Sequence, residues 1–131
     1  MYREVFVRRD IESELNNAGI QIICVSPEQP SKVRETIQKH DLKFLLLSDS
    51  QMTASRALRI AYQVDDATLN ALAQHGIDLE AASGEKYNQL PVPAVFLVAT
   101  NGVIQFEYLN PDYSVRAHPD VLIAAARASR K

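Results

Sequence analysis

Residues 90–109, LPVPAVFLVATNGVIQFEYL, constrain the fold of this chain more than any other segment. Pro91 and Pro93 lead into an apolar run over residues 94–99, Asn101-Gly102 turns the chain, and a second strand-like run covers residues 103–109. An Asn-Gly pair between two such runs predicts a β-hairpin, because both residues tolerate the φ > 0 that a type I′ turn needs. A proline just ahead of a buried strand has no N–H for a ladder bond, so it sits there for a particular backbone shape.

The elements before the hairpin alternate. Residues 2–17 read as a helix, with Val7, Ile11 and Leu15 at i, i+4, i+8 and Gly19 as a stop. Residues 20–25, IQIICV, form a short β-branched run that predicts a buried strand ending at Ser26-Pro27. Pro30-Ser31 opens a second helix to His40, with Val33 and Ile37 on one face. Residues 44–47 predict another buried strand, closed by Ser48-Asp49. Residues 53–62 predict a short helix whose inner stripe is Ala54, Ala57, Leu58 and Ala61. Asp66 is placed to cap a further helix, with Leu69, Leu72 and Ala73 inward and its end near Gly76. Residues 77–89 show no period and read as loop, as do residues 110–117. Pro119 starts a last helix whose alanines, residues 124–128, suit close packing. Strands alternating with helices predict an α/β layer with part of the sheet parallel, and the hairpin adds an antiparallel edge.

At 131 residues the chain reads as one domain with a real core, and no repeat or linker divides it. The net charge is −2, with Lys and Arg spread along the chain, so nucleic-acid binding is not expected. No apolar run approaches the ~18 residues of a membrane span, and residues 1–10 hold no apolar leader segment. The single cysteine, Cys24, rules out an internal disulfide and a Cys-rich metal site, and fits a reducing cytoplasm. His40, His75 and His118 lack metal-ligand spacing, so neither a metal nor another cofactor is expected. His118 beside Pro119 reads as a helix N-terminal residue, and Asp49 after a strand reads as a turn cap. There is no phosphate loop and no nucleophile elbow.

Four pieces, GIQIICVSPEQP (19–30), FLLLSDSQMTASRALRIAY (44–62), LPVPAVFLVATNGVIQF (90–106) and DYSVRAHPDVLIAAAR (112–127), come in one order and cover most of the chain. Together they resemble the peroxiredoxin-like proteins of the alkyl hydroperoxide reductase/thiol-specific antioxidant family. The resemblance implies a thioredoxin-like α/β sandwich of the peroxiredoxin type with a mixed sheet. It places Pro93 at the cis-proline of that fold, so that Val92 and Pro93 form the wall of the family's active site. It also assigns Asp112, Tyr113 and Arg116 to a D-Y-x-x-R loop, a candidate contact for substrate or partner against the plainer reading of an exposed salt bridge.

The family's chemistry rests on a cysteine at the N-terminus of its first helix, after its first core strand, where the helix dipole lowers the thiol pKa. No residue of this chain matches that strand or that cysteine. The resemblance therefore implies a single thioredoxin-like domain, residues 1–131, that is N-terminally truncated. Cys24 is the one low-ranking catalytic candidate, because a thiol inside an apolar strand is expected to be buried and inert. The missing strand would lie between the strand of residues 20–25 and that of residues 94–99. Its loss would leave unpaired backbone groups at about 1–3 kcal/mol each when buried. Direct pairing of those two strands, or pairing with a second chain as a homodimer through open sheet edges, would relieve that cost.

Two functions follow. One is a thiol-dependent peroxide-reducing lineage, inactive in this chain for want of the peroxidatic cysteine, whose partner would be a thiol reductant. The other is a non-catalytic thioredoxin-like module that binds a protein partner. A strand and a Cys-x-x-Cys encoded in frame upstream of Met1 would favour the first, and an in-frame stop there the second.

Overall fold

The computed structural model describes residues 9–112 and 117–129. The chain divides into two compact units, Ile23–Val92 and a second made from the segments on either side of it.

In the unit Ile23–Val92, strand β1 (Ile23–Ser26) pairs in parallel with β2 (Leu45–Ser48), and helix α2 (Pro30–His40) connects them. Pro30 occupies the first turn of α2, where a missing N–H costs nothing. Asp41 ends α2 in the left-handed conformation, and its N–H donates to the Ile37 carbonyl. The register sets Cys24 opposite Leu46 and Ser26 opposite Ser48 on one face, and Ile23 opposite Leu45 and Val25 opposite Leu47 on the other. Helix α2 lies against β2, with Val33 and Leu46 buried.

The expectation of two wholly buried strands is corrected here. Ile23, Val25, Leu45 and Leu47 are each between 45% and 52% exposed. The side-chain period of a strand is two, so one covering helix buries alternate residues only.

After β2 the chain turns into α3 (Thr53–Ala57), one turn and a half long. The predicted inner stripe faces outward: Ala54, Ala57 and Leu58 are exposed, and Ser55 is buried. The cause is the anchoring of the helix N-terminus on Asp49, which turns Ser55 inward. Met52, 1% exposed, and Ile60 carry the apolar burial before and after the helix. Arg59 in the left-handed region stops α3, and the chain continues as β3 (Ala61–Gln63), paired antiparallel with β4 (Gln89–Pro91). This pair has no counterpart in the sequence reading, because three residues are too few to show a period.

Between β3 and β4 lie α4 (Asp66–Gln74) and α5 (Leu79–Ser83). The cap of α4 is Asp65, not Asp66: the Thr68 N–H donates to Asp65 Oδ1 at 2.7 Å. Of the predicted inward residues, Leu69 and Leu72 are half-buried and Ala73 is exposed. Helix α5 falls where a loop was expected. Asp78 caps it by accepting from the Ala81 N–H at 3.2 Å, and Gly84 closes it at φ +75°. It is pinned by Gln29, whose N–H donates to the Ala82 carbonyl at 2.8 Å and whose Nε2 donates to the Ala81 carbonyl at 3.1 Å.

The second unit contains α1 (Arg9–Asn17), the hairpin β5 (Ala94–Val98) and β6 (Ile104–Leu109), and α6 (Pro119–Ala128). Residues 1–8 of the predicted first helix lie outside the described residues. The Ile20 N–H returns to the Leu15 carbonyl past a left-handed Gly19, which closes α1. Helices α1 and α6 pack together, with Ala126 of α6 buried, and Arg127 reaches Glu14 at 3.8 Å.

The hairpin forms as expected, but its turn differs. Only Gly102 has positive φ, +86°. The Ala99 N–H donates to the Val103 carbonyl, the Gly102 N–H donates to the Ala99 carbonyl, and Asn101 Oδ1 accepts from the Val103 N–H. A three-residue loop ending in a left-handed glycine needs one positive φ where a type I′ turn needs two. Gln105 bulges from β6 between the pairs Leu97–Phe106 and Val98–Ile104. Among the described residues β1 has one strand neighbour, β2, and β5 has one, β6.

Candidate functional site

The parallel strands β1 and β2 end together, and ligands of α/β sheets gather at the carboxyl ends of such strands. A polar network occupies that edge. The Asp49 N–H donates to the Ser26 carbonyl at 2.7 Å, tying the two strand ends. Ser48 Oγ donates to the Glu28 carbonyl, and the Glu28 N–H donates to Ser26 Oγ at 3.2 Å. Asp49, buried, accepts from the Ala54 N–H at its Oδ1 (3.0 Å). Its Oδ2 accepts from the Ser55 N–H (2.9 Å) and the Ser55 hydroxyl (2.8 Å). Asp49 is therefore a cap, as its place after a strand suggested, and its lone pairs are committed to α3. The Ser55 side of this network was missed, because nothing in the spacing of Asp49 and Ser55 marks a pair.

A second cluster joins α3 to β4. The Arg56 guanidinium lies 5.0 Å from the centre of the Tyr87 ring and donates through Nε and Nη2 to Gln89 Oε1 at 3.1 and 3.0 Å. The Tyr87 hydroxyl donates to the Ser50 carbonyl. Burial, then the charge of Glu85, raises the Tyr87 phenol above its ordinary value, and Arg56 opposes this. The phenol thus stays protonated and serves as a donor, which is structural work.

Cys24 sits in the middle of β1, two residues before the strand end. It is half-buried, where full burial was expected. Helix α2 covers β2 more completely than β1, so Leu46 is 5% exposed while its register partner Cys24 keeps some surface. What distinguishes Cys24 from a thiol activated at a helix N-terminus is thus its place inside a strand.

The expected cis bond before Pro93 is also corrected: the described chain has no cis peptide. The trans form of an X-Pro bond is the lower in energy by about 0.5–1 kcal/mol, and local bonds hold the extended path. The Val92 N–H donates to the Ile60 carbonyl at 2.7 Å, and the Pro93 carbonyl accepts from the Asn110 N–H at 3.1 Å. Those two backbone groups are engaged within the chain. Asp112 is exposed, and its N–H donates to Asn110 Oδ1 at 3.0 Å. Tyr113 and Arg116 lie outside the described residues. His118 is the N-cap of α6, its Nδ1 accepting from the Asp120 N–H at 3.2 Å. Among the described residues no three His, Cys, Asp or Glu side chains are grouped to hold a metal ion. No described helix is long and apolar enough to cross a membrane.

The model of the AhpC/TSA family matches residues 3–107. This chain belongs to the AhpC/TSA family. Its fold is accordingly the thioredoxin-like α/β fold, and its lineage is that of the peroxiredoxin-like thiol peroxidases. A putative peroxiredoxin bcp of Haemophilus influenzae is 44% identical over 41 residues, 31% of this chain and 26% of that protein. The matched part is about a quarter of that relative's length.

Proposed function

We propose that the 131-residue chain is a peroxiredoxin-like domain without peroxidase activity of its own. The observation that supports this reading is the position of its one cysteine. Peroxide reduction by a thiol needs a stabilised thiolate open to solvent, and a helix N-terminus supplies that stabilisation. Cys24 lies inside a β-strand instead. The family membership supplies the lineage, and Cys24 supplies no means of carrying its chemistry out. A reducing cytoplasm suits a chain with one cysteine. The test is peroxide consumption with a thiol reductant, comparing wild type with Cys24→Ser. Both should remain at the rate of the reductant alone. Robust turnover that disappears in Cys24→Ser would overturn the proposal.

The second reading, a non-catalytic module that binds a protein or a second copy through its sheet, is favoured by one observation. A parallel pair of strands is normally covered on both faces. Here Ile23, Val25, Leu45 and Leu47 stand open on one of them. Sedimentation across a concentration series tests the second copy: a monomer throughout counts against it.

A further inference from the structure

Helix α3 is bracketed by two left-handed residues that are not glycine, Met52 at φ +59° and Arg59 at φ +60°. Neither side chain is of a type that visits this region readily, so the backbone at both ends of the helix is strained. Five residues are also too few for a helix to hold its own shape. Of residues 53–59 only Ser55 is buried, so little packing compensates.

The backbone bonds of this segment close on themselves. The N–H groups of Met52, of residues 54–56 and of residues 58–60 donate to acceptors within residues 49–60. They can break together while the ladders of β1 with β2 and of β3 with β4 stay intact. Side chains tie the segment down instead. Asp49 holds its start, the Tyr87 hydroxyl donates to the Ser50 carbonyl, and Arg56 reaches Gln89 and the Tyr87 ring.

We propose that residues 50–59 form a strained strap that opens as a unit from the carboxyl ends of β1 and β2, with Tyr87 as its latch. The strain favours opening, and the latch and the burial of Met52 oppose it. Every bond that the Asp49 carboxylate accepts from Ala54 and Ser55 is lost on opening. The open form therefore bares that carboxylate at the sheet edge, together with the Met52 side chain. The strap is independent of thiol chemistry, so it stands or falls apart from the absence of peroxidase activity.

The test is amide hydrogen exchange of the isotope-labelled full chain, followed by NMR in a urea series below the unfolding transition. The amides of residues 54–60 should share one opening with a shallow urea dependence, and those of β1 and β2 should exchange only as their whole unit unfolds. Tyr87→Phe should speed exchange of residues 54–60 by roughly three- to tenfold, the loss of one hydrogen bond. Arg59→Gly should slow it by roughly threefold or more, because glycine takes the left-handed region without strain. Val33 is buried on α2, in the part that stays folded when the strap opens. Val33→Ala should therefore speed exchange in β1 and β2 and leave residues 54–60 unchanged. One urea dependence for the strap and the strands, or an equal response of both to Val33→Ala, would overturn the proposal. So would unchanged exchange of residues 54–60 in Tyr87→Phe, or exchange in Arg59→Gly as fast as in the wild type.

Discussion

At the scale of single residues, the buried carboxylate of Asp49 is the most demanding group in the described structure. Three donors converge on it, two backbone N–H groups and one hydroxyl. Asp49→Ala would leave them without an acceptor in a buried place, at a cost of roughly 2–4 kcal/mol. Asp49→Asn keeps one acceptor oxygen and should cost less; urea unfolding of both variants checks the order. Asp65 is the exposed counterpart. The Thr68 side chain and N–H hold its carboxyl below the ordinary value of 3.8. A lowered folded-state pKa means stability that is present above the unfolded value and lost as pH falls through the folded one. Amide protection at Thr68 should therefore fall in acid below pH 3.8, and Asp65→Asn should flatten that response. Both caps were legible as residue types, since Asp ahead of a helical run has a local reason to be there. Their positions were less so: the cap of α4 fell one residue before the expected Asp66, because two adjacent Asp residues satisfy the same pattern.

At the scale of elements, ends were read better than faces. Pro30, Pro119 and Gly19 punctuate helices through their own backbone preferences, and the structure uses all three as expected. The His118 cap is a weak one by residue type. His118→Ser should keep a side-chain acceptor and raise stability by about 0.5–1 kcal/mol, read from the shift of the thermal midpoint. In the hairpin, Gly102 at φ +86° carries the turn. Gly102→Ala should destabilise by about 1 kcal/mol, whereas Asn101, outside the left-handed region, should tolerate Ala with only the loss of its bond to the Val103 N–H. The inner face of α3 was misread for a physical reason. A helix of five residues has too few positions for a stripe, and a polar anchor, Asp49 to Ser55, sets its rotation.

At the scale of the whole molecule, the register of β1 on β2 separates a buried from an exposed set of side chains. Leu46→Ala should cost about 2–5 kcal/mol, while Leu47→Gln, one residue away on the open face, should stay within about 0.5 kcal/mol. Equal losses by denaturant titration would mean that both faces are covered. The sequence by itself determined the helices opened by Pro30 and Pro119, the two parallel strands, the hairpin, the family resemblance and the single cysteine of the 131 residues. The family rests on the resemblance of four ordered pieces of sequence, and the others on short-range backbone preferences and composition, which neighbours in the chain express directly. Only the tertiary structure decided the pairing of β3 with β4 and the half-burial of Cys24. The same holds for the outward face of α3 and for helix α5, which Gln29 pins from a distant part of the chain. Each of these depends on which distant segment arrives beside a residue, and a strand of three residues or a helix of five carries too little periodicity to announce its partner.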